Sequence, residues 1–301
     1  MIKINNQVVE AHDGIGRTYV RPYLRLLKPR LSFFVVVSAA FGYLFPGYPD
    51  FPDFSLLKFL GFLFSAFLIS GSGGGINQIL ERKTDAQMYR TRKRPLPMGE
   101  ISKTKAWTFS LIVGIFGMGL MGTLSRWEAV GLASFSWILY AFVYTPIKRR
   151  GSLAVLIGAI PGALPPLIGW WASGYSLNIC VYLLFFIQFV WQFPHFWAIA
   201  WRMNADYKRV NFFLLPFQQG YLCALTIFVW NLLLIPIGLL PSFLGYVSWK
   251  AGWGILLLGI FFLFFAFRLL KQQNESASSA LMRASFLYLP VVQALILFGK
   301  I

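Results

Sequence analysis

The 301-residue sequence predicts an all-α polytopic membrane protein of nine transmembrane helices, arranged as two parallel four-helix repeats plus one extra helix. Three observations lead there. Hydrophobic residues make up 57% of the chain and charged ones 12%, with mean hydropathy +0.64, whereas soluble domains carry roughly a quarter charged residues. The apolar residues fall in long runs free of any charge. The 27 basic residues outnumber the 10 acidic ones to give a formal charge of +17, and they cluster between those runs. This composition excludes a disordered chain, which needs low hydrophobicity, and only two cysteines, Cys180 and Cys223, exclude a disulfide scaffold. The first 30 residues contain no apolar core of a cleavable signal, so the first apolar run is expected to stay in the protein.

A hydrocarbon core about 30 Å thick takes roughly 20 residues of helix. Residues 1–30 read as a basic cytoplasmic segment and 31–301 as the transmembrane domain. Runs 31–48, 59–80, 106–125 and 129–147 give four helices. The stretch 151–201 holds no Lys, Arg, Asp or Glu and is too long for one crossing, so it divides at the turn-rich Ala172-Ser173-Gly174-Tyr175-Ser176 into a fifth and a sixth. A seventh helix starts at Val210 and exits near Pro241, and 251–267 and 284–299 complete the nine. On that topology 23 of the 27 Lys and Arg lie on one side. Only Lys58, Arg126, Lys250 and Lys300 lie on the other, which sets the N-terminus in the cytoplasm. The positive charge is then an orientation signal and requires no nucleic-acid partner.

Orientation does not explain the carboxylates that accompany the basic residues. At the end of the second helix Asn77, Glu81 and Asp85 are spaced four apart, so they stack on one helix face. Three oxygen-bearing side chains, two of them ionised, suit Mg²⁺, which uses one or two carboxylates and completes its shell with water and phosphate oxygens. Arg90, Arg92, Lys93 and Arg94 follow directly, and guanidinium forks bind phosphate. A Mg²⁺-bound diphosphate matches both features; the alternative is a solvated helix end with ion pairing. The preceding glycine-rich 70–75 stretch serves either close helix approach or a loosened helix. Asp206, at the end of the sixth helix, echoes Asp85 at the end of the second, an even offset that implies parallel repeats. His195, in Trp191-Gln192-Phe193-Pro194-His195-Phe196-Trp197, either satisfies a carbonyl freed by Pro194 or acts as a base or a ligand to a metal or porphyrin iron.

The run Asn77-Gln78-x-x-Glu81-x-x-x-Asp85-x-x-Met88-x-Arg90-Thr91-x-x-Arg94-Pro95-Leu96-Pro97 resembles the first signature of the UbiA-type intramembrane prenyltransferases. In its details it is similar to the branch of that family that farnesylates heme. Tyr144-Thr145-Pro146-Ile147-Lys148-Arg149, the Gly158–Trp170 block, the tryptophan-rich block around His195, and Asp206-Tyr207 with Asn211 fit the same branch. The chain departs from it at Phe213, where proline is usual. The resemblance implies transfer of the farnesyl group of farnesyl diphosphate to a vinyl group of heme b, with addition of water, giving heme O and pyrophosphate. It implies Mg²⁺ on Asn77, Glu81, Asp85 and Asp206; neutralisation of the diphosphate by Arg90, Arg94, Lys148 and Arg149; and a heme contact at His195. Aromatic residues lining the cavity would stabilise an allylic cation. Downstream partners would be heme A synthase or oxidase assembly factors. Two alternatives are a UbiA-type enzyme acting on a quinone precursor or chlorophyllide, and a transporter of an anionic amphiphile.

Overall fold

The computed structural model describes residues 15–52, 54–148 and 151–301. Among them the chain forms α1 (Ile15–Leu26), α2 (Pro29–Leu44), α3 (Leu56–Asp85), α4 (Lys103–Leu124), and α5 (Trp127–Ile138), which continues through a π-helical stretch (Leu139–Tyr144) into α6 (Thr145–Ile147). The second half comprises α7 (Leu153–Ala163), α8 (Pro165–Ala172), α9 (Ile179–Arg202), α10 (Asn204–Arg209), α11 (Tyr221–Phe243), α12 (Trp249–Gln272) and α13 (Glu275–Phe298). Four of the long helices open on a Ser or Asn whose side-chain oxygen accepts a backbone N–H: Ser55 from Lys58, Ser102 from Lys105, Asn178 from Cys180 and Asn274 from Ala277. Large apolar side chains such as Leu57, Ile115, Phe116, Trp253 and Leu257 are exposed. That inverts the soluble pattern and fits helices whose outer faces meet lipid.

The protein is a multi-pass membrane protein, with eight helical segments among the described residues long and apolar enough to cross a bilayer. The expected first span is the shorter α2, 16 residues. Other boundaries moved for local reasons. The seventh helix begins at Tyr221, not at Val210, because the intervening segment turns at Asn211 (φ 57°) and passes Pro216. The fifth breaks between α7 and α8 at Leu164, just before Pro165 and Pro166, which lack the N–H a continuous helix needs. α3 runs past Leu80 to Asp85 and its 30 residues span about 45 Å, enough to carry its polar last turns beyond the hydrocarbon. The basic N-terminal segment contains α1, which charge counting did not anticipate.

α3 packs against α4 and α2, α2 against α8, and α9 against α7, α11 and α13, with α12 between α11 and α13. The α2–α8 contact is backbone-close: a Cβ on Gly42 would strike the Pro166 carbonyl oxygen, and one on Gly169 the Ala39 carbonyl oxygen. Such small-residue seams let helices associate where hydrophobicity offers no preference over lipid.

Candidate active site

Asn77, Glu81 and Asp85 lie on one buried face of α3, with relative exposures of 1%, 7% and 0%. Buried carboxylates are costly unless compensated, and each has a cation. Both Asp85 oxygens sit 2.7–2.8 Å from one guanidinium nitrogen of Arg94, and the Thr91 hydroxyl donates to the Asp85 backbone carbonyl at 3.0 Å, folding the loop back onto the helix end. Glu81 lies 2.9 Å from the Lys148 ammonium. Burial alone would lower the Lys148 pKa, but the Glu81 carboxylate holds it well above the usual lysine range. The Asn77 amide donates to the Thr145 hydroxyl at 3.1 Å, and that hydroxyl donates to the Tyr140 carbonyl at 2.9 Å across the π-helical stretch.

Asp206 reaches the same region from α10. Its carboxylate accepts the backbone N–H groups of Tyr89 and Arg90 at 3.1 and 3.2 Å, with Arg209 at 3.8 Å. The two acidic helix ends are therefore neighbours, although Asp206 holds the loop after α3 rather than joining Glu81 or Asp85. The Arg90 side chain is exposed, and Arg149 lies outside the described residues. Among the described residues no three His, Cys, Asp or Glu side chains cluster closely enough to hold a metal ion. The donors are nonetheless of the right chemistry for Mg²⁺: hard oxygens, few from protein, the remainder left to water and phosphate.

Lys28 also belongs to the site and had been counted only as an orientation charge. It sits between α1 and α2 in a left-handed conformation (φ 47°), and its ammonium donates to the Asn77 side-chain oxygen at 2.5 Å. Burial, with Arg94 and Lys148 nearby, pushes its pKa well below the usual lysine range. α1 delivers it: Leu26 is buried with Ile79, Ile101 and Ala106, and Arg25 pairs with Glu100 at 2.8 Å. The glycine-rich run stays helical and buried, so it serves close approach; a Cβ on Gly74 would lie 3.3 Å from the Lys28 side chain. The sequence signal was Lys28-Pro29 immediately before the first apolar run.

Next to this cluster an apolar cavity of about 280 Å³ opens among α2, α3, α4, α5, α7, α8, α9 and α13. Tyr144 joins the two, lining the cavity while its ring lies 4.8 Å from the Lys148 ammonium. Trp137 and Tyr140 from the same helix also line it. His195 faces the cavity from α9, stacked on Trp191 at 4.6 Å and edge-on to Phe286 at 4.9 Å, with Nδ1 2.6 Å from the Ser285 hydroxyl. The arrangement joins a cation-rich mouth to an aromatic, apolar chamber.

The sequence pattern of the UbiA prenyltransferase family matches residues 34–289. The protoheme IX farnesyltransferase of Cytophaga hutchinsonii is 40% identical to the chain, covering 93% of it and 97% of that relative. The protoheme IX farnesyltransferase of Solibacter usitatus is 34% identical, covering 93% and 99%. Among solved structures, one concerning digeranylgeranylglyceryl phosphate synthase in membranes aligns with TM-score 0.74 at 21% identity over 93% of this chain and 98% of that one. A UbiA homologue from Archaeoglobus fulgidus bound to GPP and Mg²⁺ aligns with TM-score 0.68 at 17% identity over 91% and 99%. These last two are likenesses of fold.

Proposed function

Because the chain belongs to the UbiA prenyltransferase family, we propose that it transfers the farnesyl group of farnesyl diphosphate to heme b with addition of water, forming heme O and pyrophosphate. The observation that carries this reading is the junction at Tyr144, where a buried set of carboxylates and cations meets an apolar cavity. A prenyl diphosphate has the same two ends.

Asn77, Glu81 and Asp85, with Asp206 at the neighbouring helix end, would hold Mg²⁺, an ion present with GPP in the Archaeoglobus homologue. When bound, the ion supplies positive charge to the diphosphate oxygens. Arg94, Lys148 and Lys28 surround the same space, and Arg90 and Arg149 flank it in sequence. As the farnesyl C–O bond ionises, negative charge grows on the leaving diphosphate, and fixed cations at its oxygens favour that state over the bound substrate. The apolar cavity keeps bulk water from the allylic cation, and the faces of Trp137, Tyr140 and Tyr144 stabilise it. Heme, flat and apolar with two carboxylates, places its propionates toward the basic side, with His195 contacting it in the chamber. Heme A synthase or oxidase assembly factors would receive the product.

Purified chain supplied with farnesyl diphosphate, heme b and Mg²⁺ should release pyrophosphate and form heme O, and chelation should stop both. Release of pyrophosphate only with a quinone precursor or chlorophyllide would move the assignment within the family. Binding of substrate without any pyrophosphate release would make the protein a carrier.

A further inference from the structure

The reaction consumes a water molecule, yet the cavity is apolar and the charged residues at its mouth are matched to the leaving group. Two side chains on one face of α9 supply what a single nucleophilic water needs. The Ser285 hydroxyl has one proton and donates it to the Met282 carbonyl at 2.6 Å, so toward His195 it accepts. Nδ1 of His195 therefore carries the ring proton, and Nε2 keeps a lone pair with no partner among the described residues. Three residues earlier, the Gln192 amide nitrogen donates to the Ala159 and Gln188 carbonyls at 2.9 and 3.2 Å. Those two acceptors fix which amide atom is nitrogen, and the oxygen is left without a donor. Both side chains line the cavity, with relative exposures of 2% for Gln192 and 6% for His195. Residues three apart on a helix are neighbours, and both side chains border the same cavity.

Three other polar side chains on the wall, Gln188, Ser38 and Ser136, are already engaged. The Gln188 amide oxygen accepts from Gln293 at 3.0 Å and its nitrogen donates to the Gly162 carbonyl at 2.7 Å, while Ser38 is bonded to Gln293 and Ser136 to the Pro161 carbonyl. A buried water requires at least two polar partners. Resting on the heme-farnesylating reading above, we propose that Gln192 and His195 bind the water that hydrates the farnesylated vinyl group and that His195 takes its proton. Donating both hydrogens to two acceptors, the water turns its own lone pairs outward.

The step balances. The C–O bond of farnesyl diphosphate breaks with its electron pair leaving on pyrophosphate, and the vinyl π pair forms the bond to the farnesyl carbon, leaving positive charge on the vinyl carbon next to the macrocycle. The water oxygen bonds to that carbon while one proton passes to His195 Nε2, which returns it to solvent after turnover. Without a held water the same cation loses a proton from its neighbouring carbon. The product is then an alkene, lighter than heme O by one water.

The test is the ratio of hydrated to anhydrous farnesyl heme, read by mass spectrometry from full-length Gln192→Leu, His195→Gln and Ser285→Ala with Mg²⁺, farnesyl diphosphate and heme b. The ratio should fall about 10²-fold in the first two, the size of a lost general base, and less in the third, which only frees the tautomer. An unchanged ratio in all three overturns the proposal. So does a shifted heme absorption spectrum in His195→Gln with an unchanged ratio, which would make His195 an iron ligand, and so does loss of every farnesylated product from all three, which would make them substrate-binding residues. Failure of the unaltered chain to farnesylate heme would instead reject the functional reading.

Discussion

Asp85 has no exposed surface, and Arg94 is its sole ion-pair partner in the described residues. Asp85→Ala would remove a proposed Mg²⁺ donor and leave Arg94 uncompensated, and heme O formation is expected to fall by at least about 10²–10³. Near-normal yield from a normally inserted variant would remove Asp85 from the metal site. Lys28 makes a sharper test, because the sequence assigned it only to orientation. Lys28→Ala should raise KM for farnesyl diphosphate about 10–100-fold, the range of one charge-assisted contact, with Lys28→Arg recovering part of it. A change confined to kcat would place Lys28 elsewhere in the cycle. The contrast shows what a sequence reveals at this scale. Asn77, Glu81 and Asp85 share a helix, so a four-residue spacing put them on one face. Asp206 was found by its echo of Asp85 and Lys148 by the family resemblance, whereas Lys28 arrives from another element and no spacing relates it to α3. The ion pairs of Glu81 with Lys148 and of Asp85 with Arg94 depend on tertiary packing in the same way.

Elements were legible where the chain is uncharged and uninterrupted, as in α4 and α9. They were misplaced where proline or left-handed backbone overrides apolarity. Hydrophobicity alone carried the seventh helix back to Val210, although Asn211 and Pro216 hold that segment out of the helix. The turn between α1 and α2 escaped notice because α1 is amphipathic and basic, like a surface segment, and its docking depends on Leu26 meeting Ile79 and Ala106. The α2–α8 seam offers a prediction at this scale. Gly169→Ala drives a methyl group into the Ala39 carbonyl and should cost about 1–3 kcal/mol, visible as a lower unfolding temperature in detergent. Gly174→Ala is no equivalent control, because its positive φ (91°) adds backbone strain, whereas Gly119→Ala, with open space around it, should be near neutral. Equal effects at 119 and 169 would mean the seam is not tightly packed.

Across the whole molecule, the asymmetry of 23 basic residues against four predicts orientation. A reporter active only outside the cytoplasm should be silent when fused at the N-terminus or after Arg209 and active near Lys250; the reverse pattern would invert the topology. The fold class, the membrane setting and the family were all readable from composition and motifs, while the cavity was not, since its wall draws on helices from α2 to α13, far apart in the chain. One feature of the cluster bears on turnover. Glu81 and Asp85 are already matched to Lys148 and Arg94 before any ligand arrives. On the proposed function, binding a diphosphate would be an exchange of partners, Arg94 and Lys148 shifting from carboxylate to phosphate. When pyrophosphate departs the exchange would reverse, leaving no bare charge stranded in a dry site, with the carboxylates competing against the product for the very cations that hold it.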